Sequence, residues 1–317
     1  MRVIVTGASG FVAPYFIRAL RRAAQHSEIF ECARDGETSN AGKRYLTDIT
    51  DAEAVDALIA EIKPTHVMHL AGVSTLLEAG ANPKINWAVN VFGTINLANA
   101  ILRHAPDCAL LFAGSGEVYG VSSNQQLPLT EEALLQPTSD YAVTKAAADL
   151  AIGALRSSGL RSIRFRPFNH VGAGQTENYA LSSFAAQIAR IERGIQPATV
   201  RVGNLSAERD FLDVRDVTDA YVKATLRSDQ IASGTILNIA SGKPQRLDHL
   251  LDRLISMAEV SVKIEQDPGR FRPIDLPRIY GDASRAKQML GWTPTHDFDQ
   301  TLQEILSSWR EKIGRRS

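Results

Sequence analysis

The amino-acid sequence predicts an α/β fold in which helices cover both faces of a doubly wound parallel sheet. The first observation is an alternation along the first half of the chain, where short β-rich runs are separated by longer helical patterns. Strands separated by helices imply βαβ crossovers and therefore parallel neighbours. The second observation is that the β-rich runs are apolar almost throughout, as expected for strands with two buried faces.

Each element follows from these two patterns. The predicted strands are Arg2–Thr6, Glu28–Ala33, His66–Leu70, Ala109–Ala113, Ser162–Arg166 and Thr235–Ala240. The predicted helices are Phe11–Gln25, Asp51–Ile62, Asn86–His104, Thr138–Ser157, Leu181–Arg193, Val214–Leu226, Leu247–Ala258, Ala283–Leu290 and Asp299–Glu311. Proline, glycine and aspartate cluster at residues 266–277, which predicts a loop there.

The composition is that of a globular protein without a nucleic-acid partner. The 35 Lys and Arg residues balance 35 Asp and Glu residues, so no overall basic field attracts nucleic acid. No uninterrupted apolar run of about 18 residues occurs, and we expect no membrane span. Cys32 and Cys108 are the only cysteines, and CxxC and HxxxH spacings are absent. We therefore expect two buried thiols, no disulfide framework, no metal and a cytoplasmic location.

A glycine-rich turn joins the first predicted strand to the first predicted helix. Gly7, Gly10 and Ala13 give the spacing GxxGxxA. Gly7 allows a tight turn, Gly10 lets the backbone approach a pyrophosphate, and Ala13 is small enough for helix–strand packing. Unpaired N–H groups and the helix dipole would face the anion. The turn predicts a dinucleotide site of the Rossmann type, to which Phe11 and Val12 also belong.

The residues after the second strand bear on the choice of dinucleotide. An acid there would bind the ribose hydroxyl of NAD, whereas an arginine would pair with the 2′-phosphate of NADP. Ala33 falls where the acid would lie, and Arg34 follows, so NADP(H) is preferred. Glu31 and Asp35 keep NAD(H) open, and Arg34 could instead be a solvated surface charge.

A further strand, the third in chain order, is expected before His66–Leu70, and Asp48 and Ile49 would end it at the adenosine side of the site. We expect both residues to contact the cofactor, Asp48 at the adenine. Alternatively, Asp48 caps the helix that begins near Asp51.

Tyr141 and Lys145 lie early in a predicted helix and four residues apart, so they share one helix face. A cation beside a phenol favours phenolate and lowers the phenol pKa from about 10. Tyr141 would then serve as a general acid or base near neutral pH. The spacing YxxxK is common by chance, and it becomes specific because it follows the glycine turn by the appropriate number of βα units.

Three further segments complete a recognisable order of motifs. They are His69–Gly72 (HLAG), Asn90 within VNVFGTINL, and Gly114–Gly120 (GSGEVYG). With the glycine turn and the Tyr141/Lys145 pair, they resemble the extended short-chain dehydrogenase/reductases, which include nucleotide-sugar epimerases, dehydratases and reductases. The resemblance covers nearly the whole chain.

The resemblance implies roles for these residues. Ser115 would hydrogen-bond the reacting sugar oxygen, Tyr141 would move the proton, and Lys145 would hold the nicotinamide ribose. Glu117 is a further expected catalytic residue. The expected cofactor contacts include Leu70, Ala71, Gly72, Asn90 and Phe168, and the expected substrate contacts include Ser74, Ser115 and Gly116.

Asn90 and two histidines have alternative interpretations. Asn90 would either hold a water in a proton relay or cap backbone groups. His66 and His69 flank the fourth strand with no cysteine or acidic ligand spacing nearby. We expect them to be core histidines with satisfied hydrogen bonds.

Two arginines in separate loops, Arg209 and Arg272, could clamp the diphosphate of a nucleotide sugar bidentately. Arg209 could instead pair with Asp210 or Asp213, and Arg272 could form a salt bridge within its loop. Exposed pairs of that kind are worth only about 0–1 kcal/mol, so stability gives little reason for them.

The remaining expected substrate contacts come from the same part of the chain. Asn169 lies at the start of a glycine-rich loop that in the family reaches both nicotinamide and sugar diphosphate. Asp275 could accept hydrogen bonds from ribose hydroxyls, and Val202 begins the segment VGNLSAERD.

These segments resemble the GDP-mannose branch of the family, in which VGNLxAxRD recurs in 4,6-dehydratases and in reductases of GDP-4-dehydro-6-deoxy-D-mannose. Two departures favour the reductases. Only Asp35–Arg44 separates the second and third strands, where the dehydratases carry a long arginine-rich insertion. In addition, VGAGQ follows FNH, where the dehydratases have an arginine-bearing loop. The pattern RPxDxP at 272–277 also looks reductase-like.

We therefore expect reduction of the 4-keto group of GDP-4-dehydro-6-deoxy-D-mannose to give GDP-D-rhamnose. Residues 1–167 would form the dinucleotide domain, with 213–241 returning to it, and 168–212 with 242–317 would bind the GDP-sugar. We expect a homodimer. The alternatives are a GDP-mannose 4,6-dehydratase, which Glu117 supports, a UDP-sugar epimerase, and a non-catalytic dinucleotide sensor.

Overall fold

The central sheet contains seven strands, all parallel. The computed structural model describes residues 1–34, 43–73, 82–125, 127–271 and 276–314. Its strands are β1 (Arg2–Thr6), β2 (Glu28–Ala33), β3 (Lys43–Leu46), β4 (His66–His69), β5 (Ala109–Ala113), β6 (Arg161–Pro167), β7 (Asn169–Val171), β8 (Thr199–Val202), β9 (Glu208–Asp213), β10 (Thr235–Ile239), β11 (Pro244–Arg246), β12 (Lys263–Gln266) and β13 (Arg278–Ile279). The large sheet has the order β10-β6-β5-β4-β1-β2-β3. The predicted α/β class with a doubly wound parallel sheet is confirmed.

Helices cover both faces of this sheet. They are α1 (Ala13–Ala23), α2 (Ala52–Ile62), α3 (Pro83–His104), α4 (Asp140–Ala154), α5 (Ala180–Glu192), α6 (Val214–Leu226), α7 (Leu247–Ser256), α8 (Ser284–Leu290) and α9 (Phe298–Gly314). On one face, α1 and α6 bury Phe16 and Tyr221 against the strands. On the other, α2, α3 and α4 bury Ile59 and Leu97. These two layers explain why the strands are apolar on both sides.

The second half of the chain adds two small sheets that the sequence did not predict. Strand β9 pairs with β7, β11 and β13, and β8 pairs with β12. These strands are short, and several of them are polar, so they lack the apolar runs that mark the large sheet. Helices α5, α7 and α9 enclose a core around Phe184, Leu250 and Trp309. The division into two domains stays a prediction.

Helix α3 starts earlier than predicted and contains a π-helical segment. The Asn82 side chain accepts a hydrogen bond of 3.2 Å from the backbone N–H of Ile85, which caps the helix before Pro83. Residues Ala88–Gly93 are wound as a π-helix. Such segments are rare and occur often at functional sites.

Within the described residues, α3 is long and apolar enough to cross a membrane by length and composition. It has 22 residues and a mean hydropathy of 1.2 in its most apolar window, half of which is buried inside the protein. Burial against α2 and α4 is typical of the core helix of a globular protein.

Several local predictions can be compared directly. Cys32 and Cys108 are buried free thiols, as predicted. The predicted loop at 266–277 includes the last residue of β12 and a 3₁₀ turn at Pro268–Arg270. Residues 272–275 of that loop lie outside the described residues.

Candidate active site

The turn after β1 allows close approach of two backbone segments. Gly7 has a φ of +68°, a left-handed conformation that glycine adopts without cost. A Cβ at this position would lie only 2.6 Å from the backbone nitrogen of Ala71. The N–H of Gly10 donates to the carbonyl of Gly7 at 2.9 Å and closes the turn. The predicted turn is formed, and it lies against the segment Leu70–Gly72 that follows β4.

The N-terminus of α1 adjoins this turn. The helix begins at the buried Ala13, with Pro14 in the first turn, and Val12 in the N-cap position provides no side-chain cap. Uncapped N–H groups and the positive end of the helix dipole attract phosphate. The cradle that a Cβ on Gly7 would fill, together with this helix end beside Phe11, fits the pyrophosphate of a dinucleotide.

Arg34 lies directly beyond the adenosine end of the predicted site. Strand β2 ends at the buried Ala33, and Arg34 is exposed immediately after it. Glu31 is buried within the strand, and Asp35 lies outside the described residues. Arg34 is therefore exposed at the carboxyl end of β2, the end at which the sequence predicts the adenosine contact.

Asp48 does not cap α2, and that alternative was wrong. The side chain of Asp51 accepts hydrogen bonds from the first N–H groups of the helix. Asp48 instead accepts from the backbone N–H and hydroxyl of Thr50, at 2.9 and 2.8 Å. Ile49 is buried against Gly93, where a Cβ would lie 2.7 Å from the isoleucine side chain. Strand β3 ends at Leu46, so Asp48 and Ile49 follow the strand and do not end it as predicted. The Ile49 side chain packs on the π-helical segment of α3.

Buried hydrogen bonds connect β1, β4 and α3 through His69. Its Nδ1 lies 2.7 Å from Thr6 Oγ1, and its Nε2 lies 2.9 Å from Thr94 Oγ1. The Thr94 hydroxyl donates to the carbonyl of Asn90, so Nε2 carries the proton and Nδ1 accepts. Burial lowers the pKa of His69 to about 3, which keeps the ring neutral. His69 is a core histidine, as predicted. His66 is also bonded through both ring nitrogens, but it is only partly buried at the start of β4.

The Asn90 side chain is held by protein groups. Its Oδ1 accepts from the N–H of Val73 at 2.8 Å, and its Nδ2 lies 2.6 Å from Asn86 Oδ1 and 3.1 Å from Thr144 Oγ1. A Cβ on Gly72 would lie 2.8 Å from Asn90 Oδ1. Of the two alternatives for Asn90, these contacts favour capping of backbone groups over a water relay.

Ser115, Tyr141 and Lys145 meet at the carboxyl edge of the large sheet. Ser115 follows β5, and the side chain of Ser139 caps the helix α4 that carries the other two residues. The hydroxyls of Tyr141 and Ser115 are hydrogen-bonded to each other. Lys145 Nζ donates to the carbonyl of Ala113 at 2.8 Å. Two elements far apart in the chain thus bring a phenol, a hydroxyl and an ammonium group together.

The pKa of Tyr141 is shifted in the direction opposite to that predicted. Burial raises the pKa above its ordinary value, and the hydrogen bond with Ser115 opposes this shift only in part. The neighbouring Tyr179 and Glu117 raise the pKa further. Burial also lowers the pKa of Lys145 to about 8. Tyr141 is therefore a protonated phenol at neutral pH, the state that a general acid requires.

Glu117 and Gly116 lie in the 3₁₀ helix that follows Ser115. The Ser115 Oγ accepts a hydrogen bond of 3.1 Å from the backbone N–H of Glu117. A Cβ on Gly116 would lie 3.2 Å from the ring of Phe168, so the glycine allows this buried ring to pack closely behind the catalytic turn. Phe168 and Ser115 are thereby brought to the same site, as predicted.

The predicted nucleotide-sugar residues lie on the small sheets. Asn169 on β7 pairs with Phe211 on β9. Val202 ends β8 with its side chain in the core around Phe184. Arg209 is buried on β9 and donates from Nη1 to the carbonyl of the preceding residue at 2.9 Å.

The two aspartates considered as partners of Arg209 are engaged by other groups. Asp210 accepts from Ser241, Gly242 and Gly281, and Asp213 accepts from Arg215 and Thr301. Three other predicted substrate contacts, Ser74, Arg272 and Asp275, lie outside the described residues.

Two residues near the site were not predicted from the sequence. Tyr179 acts on the pKa of Tyr141 from the start of α5, and no motif marks it. Arg270 Nη1 lies 3.4 Å from Ser183 Oγ, and a Cβ on Gly203 would lie 2.5 Å from the Arg270 carbonyl. Arg270 thus adjoins the VGNLSAERD segment. Its position two residues before Arg272 is the sequence feature that could have pointed to it.

Comparison with known proteins identifies the family of the chain. The sequence model of one family, described as GDP-mannose 4,6 dehydratase, matches residues 4–305. The chain is 33% identical to GDP-6-deoxy-D-mannose reductase of Pseudomonas aeruginosa over 98% of each chain. It is 28% identical to GDP-mannose 4,6 dehydratase 2 of Arabidopsis thaliana over 86% of this chain and 73% of that one.

Two solved structures extend the comparison. RMD from Pseudomonas aeruginosa, complexed with NADPH, has a TM-score of 0.85 and 32% identity, covering 98% of this chain and 99% of that one. UDP-glucose 4-epimerase of Thermus thermophilus, complexed with NAD, has a TM-score of 0.83 and 25% identity, covering 98% and 99% of the two chains.

Proposed function

The chain belongs to the GDP-mannose 4,6 dehydratase family of the extended short-chain dehydrogenase/reductases, and from that premise we propose that it reduces the 4-keto group of GDP-4-dehydro-6-deoxy-D-mannose to give GDP-D-rhamnose. It is an NAD(P)-dependent oxidoreductase acting on a nucleotide sugar. The assembled Ser115, Tyr141 and Lys145 set carries the proposal, because it provides the proton that ketone reduction needs.

A reduced nicotinamide bound at this site would supply the hydride that sugar C4 receives. Tyr141 donates its phenolic proton to O4, and Ser115 hydrogen-bonds the developing negative charge on that oxygen. One hydride and one proton convert the carbonyl to an alcohol. The raised pKa of Tyr141 keeps the proton available at neutral pH.

Lys145 would bind the ribose next to the nicotinamide. Its Nζ lies at the carboxyl edge of β5, and a Cβ on Gly72 would lie 3.5 Å from it. With a pKa of about 8, the group remains largely an ammonium at neutral pH. It can then donate to ribose hydroxyls and oppose negative charge on Tyr141.

We propose NADP(H) as the preferred cofactor, with NAD(H) as the alternative. Arg34 is exposed immediately after β2, which favours pairing with a 2′-phosphate. The similarity to a structure that holds NADPH supports this preference, and the similarity to one that holds NAD keeps the alternative.

The nearest rival is the GDP-mannose 4,6-dehydratase reaction. Glu117 lies beside Tyr141, close enough to raise the pKa of that phenol, and a glutamate there would suit proton abstraction from sugar C5. Two observations favour the reductase. Strand β3 begins at Lys43, shortly after β2 ends at Ala33, without a long insertion, and the similarity to the reductase of Pseudomonas aeruginosa spans both chains.

The experiment is to supply the purified protein with the GDP-linked keto sugar and NADPH. We expect the absorbance of the reduced nicotinamide to fall by one equivalent per product, and NMR to identify the hydroxyl formed at C4. Tyr141→Phe is the matched control that lacks the transferable proton. Conversion of GDP-mannose to the keto sugar without added reductant would assign the dehydratase reaction instead.

We also propose that the protein is a homodimer. Phe92 of α3 is 59% exposed and Leu150 of α4 is 58% exposed, and these adjacent helices also expose Trp87 and Val143. Lys145 and Asp149, the charged residues of α4 between Tyr141 and Leu155, are both buried. An uncharged apolar face of two helices can be covered by the same face of a second copy about a twofold axis.

The oligomeric state tests this proposal. Phe92→Glu should convert the dimer to a monomer in size-exclusion chromatography with light scattering. The control is Leu46→Glu, since Leu46 is 71% exposed on β3, at the edge of the large sheet. A monomeric wild-type protein would contradict the proposal.

A further inference from the structure

Beneath the active site lies a buried ion pair to which the reaction scheme gives no role. Asp149 is 1% exposed and Arg166 is 3% exposed. Arg166 Nε donates to Asp149 Oδ2 at 2.7 Å. Removing both charges from water is expensive, and apolar residues of similar volume often give equal or greater stability. Stability alone is therefore a weak reason for this pair.

Arg166 also contacts the element that carries Ser115. Its Nη1 donates to the Tyr119 hydroxyl at 3.1 Å and to the carbonyl of Glu131 at 3.2 Å. The guanidinium carbon lies 5.1 Å from the centroid of the Tyr119 ring. The Tyr119 hydroxyl in turn donates to Asn238 Oδ1 at 2.7 Å. Burial raises the pKa of Tyr119 to about 12, so this phenol stays protonated and can donate and accept at once.

The contacts of Arg166 join the three segments that form the site. Asp149 lies one helical turn after Lys145 on α4. Tyr119 lies in the 3₁₀ helix that Ser115 caps. Arg166 itself is two residues before Phe168, whose ring stacks on Tyr119 with centroids 6.3 Å apart. Arg166 lies on β6, the strand that leads into the substrate loop. Its guanidinium group thus bonds both to α4 and to the 3₁₀ helix.

We infer that Arg166 is a positioning residue which, through Asp149 and Tyr119, fixes Ser115 relative to Tyr141 and Lys145. The expected effect of Arg166 on turnover rests on the proposed keto-sugar reduction. Proton transfer from Tyr141 and the hydrogen bond from Ser115 both require the sugar oxygen to lie within hydrogen-bond reach of two hydroxyls on different elements. A shift of about 1 Å between such groups can lower a rate by about a hundredfold.

The structure offers a matched control on the same carboxylate. Arg164 Nη1 donates to Asp149 Oδ1 at 2.8 Å, and its Nη2 donates to the carbonyl of Gly234. The hydrogen bonds of Arg164 go to Asp149 and to the carbonyl of Gly234, and not to Tyr119. Arg164→Gln therefore removes an ion pair with Asp149 without releasing the 3₁₀ helix, whereas Arg166→Gln removes both contacts. Tyr119→Phe removes only the hydroxyl and keeps the ring on Phe168, which preserves a folded variant if Arg166→Gln does not fold.

The first measurement needs no substrate. Amide hydrogen exchange of the segment Ser115–Asn124 should become faster in Arg166→Gln and in Tyr119→Phe, while it stays at the wild-type rate in Arg164→Gln. Equal exchange in wild type and Tyr119→Phe would overturn the inference, as would equal acceleration in Arg164→Gln. The hydrogen-exchange measurement tests the positioning role of Arg166 even if the proposed substrate is wrong.

The second measurement separates positioning from stability. With the GDP-keto sugar and NADPH, Tyr119→Phe should lower kcat by about tenfold to a hundredfold, while KM for both ligands stays within about twofold. Arg164→Gln should keep the wild-type kcat even if its melting temperature falls. A kcat that follows the melting temperature across all three variants would make Arg166 a structural residue only. An inactive wild-type protein would instead refute the proposed function.

Discussion

The phenol of Tyr15 donates a hydrogen bond of 2.7 Å to the carbonyl oxygen of Ala173. Tyr15 lies in the first turn of α1, and Ala173 lies in the loop that follows β7. Nearby, the rings of Phe11 and His170 stack with centroids 6.4 Å apart. These contacts fasten β7, which carries Asn169, and the loop after it to the helix end that faces the expected pyrophosphate.

Tyr15→Phe should therefore weaken NADPH binding. The ring and its packing remain, but the loop loses one net hydrogen bond, worth about 0.5–1.5 kcal/mol. We expect the dissociation constant to rise about twofold to tenfold, measured by the fluorescence of bound NADPH. Tyr45→Phe is the control, because the Tyr45 hydroxyl bonds Glu61 between β3 and α2. Equal affinity in Tyr15→Phe and wild type would show that the loop does not hold the cofactor.

Arg34→Ala should lower the preference for NADPH over NADH. A charge-assisted hydrogen bond to phosphate is worth about 1.5–3 kcal/mol, so the ratio of kcat/KM values should fall about tenfold to a hundredfold. Arg22→Ala removes another exposed arginine, on α1, and should leave the ratio unchanged. An unaltered ratio in Arg34→Ala would make Arg34 a surface charge without a role in cofactor choice.

Lys145 should give activity an alkaline limit. Burial lowers its pKa to about 8, so the ammonium is present below that pH and is lost as pH rises through it. Tyr141 stays protonated over this range because its pKa is raised. The kcat/KM for the keto sugar should therefore fall above about pH 8, and Lys145→Arg should move the limit upward. A kcat/KM that stays constant up to pH 10 would contradict a role for the positive charge of Lys145.

The same pKa shift makes a separate prediction about stability. An unfolded lysine keeps its proton to about pH 10.4, whereas folded Lys145 loses it near 8. Between those values the unfolded chain binds more protons, so the free energy of unfolding should increase with pH through this group. Denaturant titration of wild type and Lys145→Met at several pH values isolates the contribution of Lys145 to the free energy of unfolding. An identical pH dependence in both proteins would contradict it.

Arg209→Lys should raise KM for the GDP-sugar with little change in kcat. A lysine keeps the positive charge but cannot bind a diphosphate bidentately. Loss of uniform binding raises KM alone, by about tenfold. Arg201→Lys, on the exposed side of β8, is the control. A lower kcat at unchanged KM would place Arg209 in the chemical step.

Tyr141→Phe should lower kcat by about 10²–10⁴-fold, the usual size of a general acid contribution. The ring and its packing remain, so NADPH affinity and melting temperature should match wild type. Lys145→Met should impair both turnover and cofactor affinity, because Lys145 would also bind the ribose. Near-normal turnover by Tyr141→Phe would refute the catalytic assignment.

Six strands of the large sheet could be predicted to within one residue at each end, whereas β3 (Lys43–Leu46) ends earlier than the predicted Asp48 and Ile49. Strands β1, β2 and β5 have the predicted bounds, since each is a short apolar run between turns, and burial on both faces leaves little ambiguity. The turn at Gly7 and the shared helix face of Tyr141 and Lys145 could also be predicted, because backbone conformation and helical periodicity are local properties.

The tertiary structure decided what depends on groups distant in the chain. Burial raises the pKa of Tyr141, although the local spacing to Lys145 alone predicted a lower value. Short strands such as β7 and β13 exist only because β9 pairs with them. The contacts of Arg166 with Asp149 and Tyr119 span 17 and 47 residues of sequence. Local sequence thus determined the elements and the chemistry they carry, whereas desolvation and long-range hydrogen bonds, which arise only on folding, determined how those groups are charged and held.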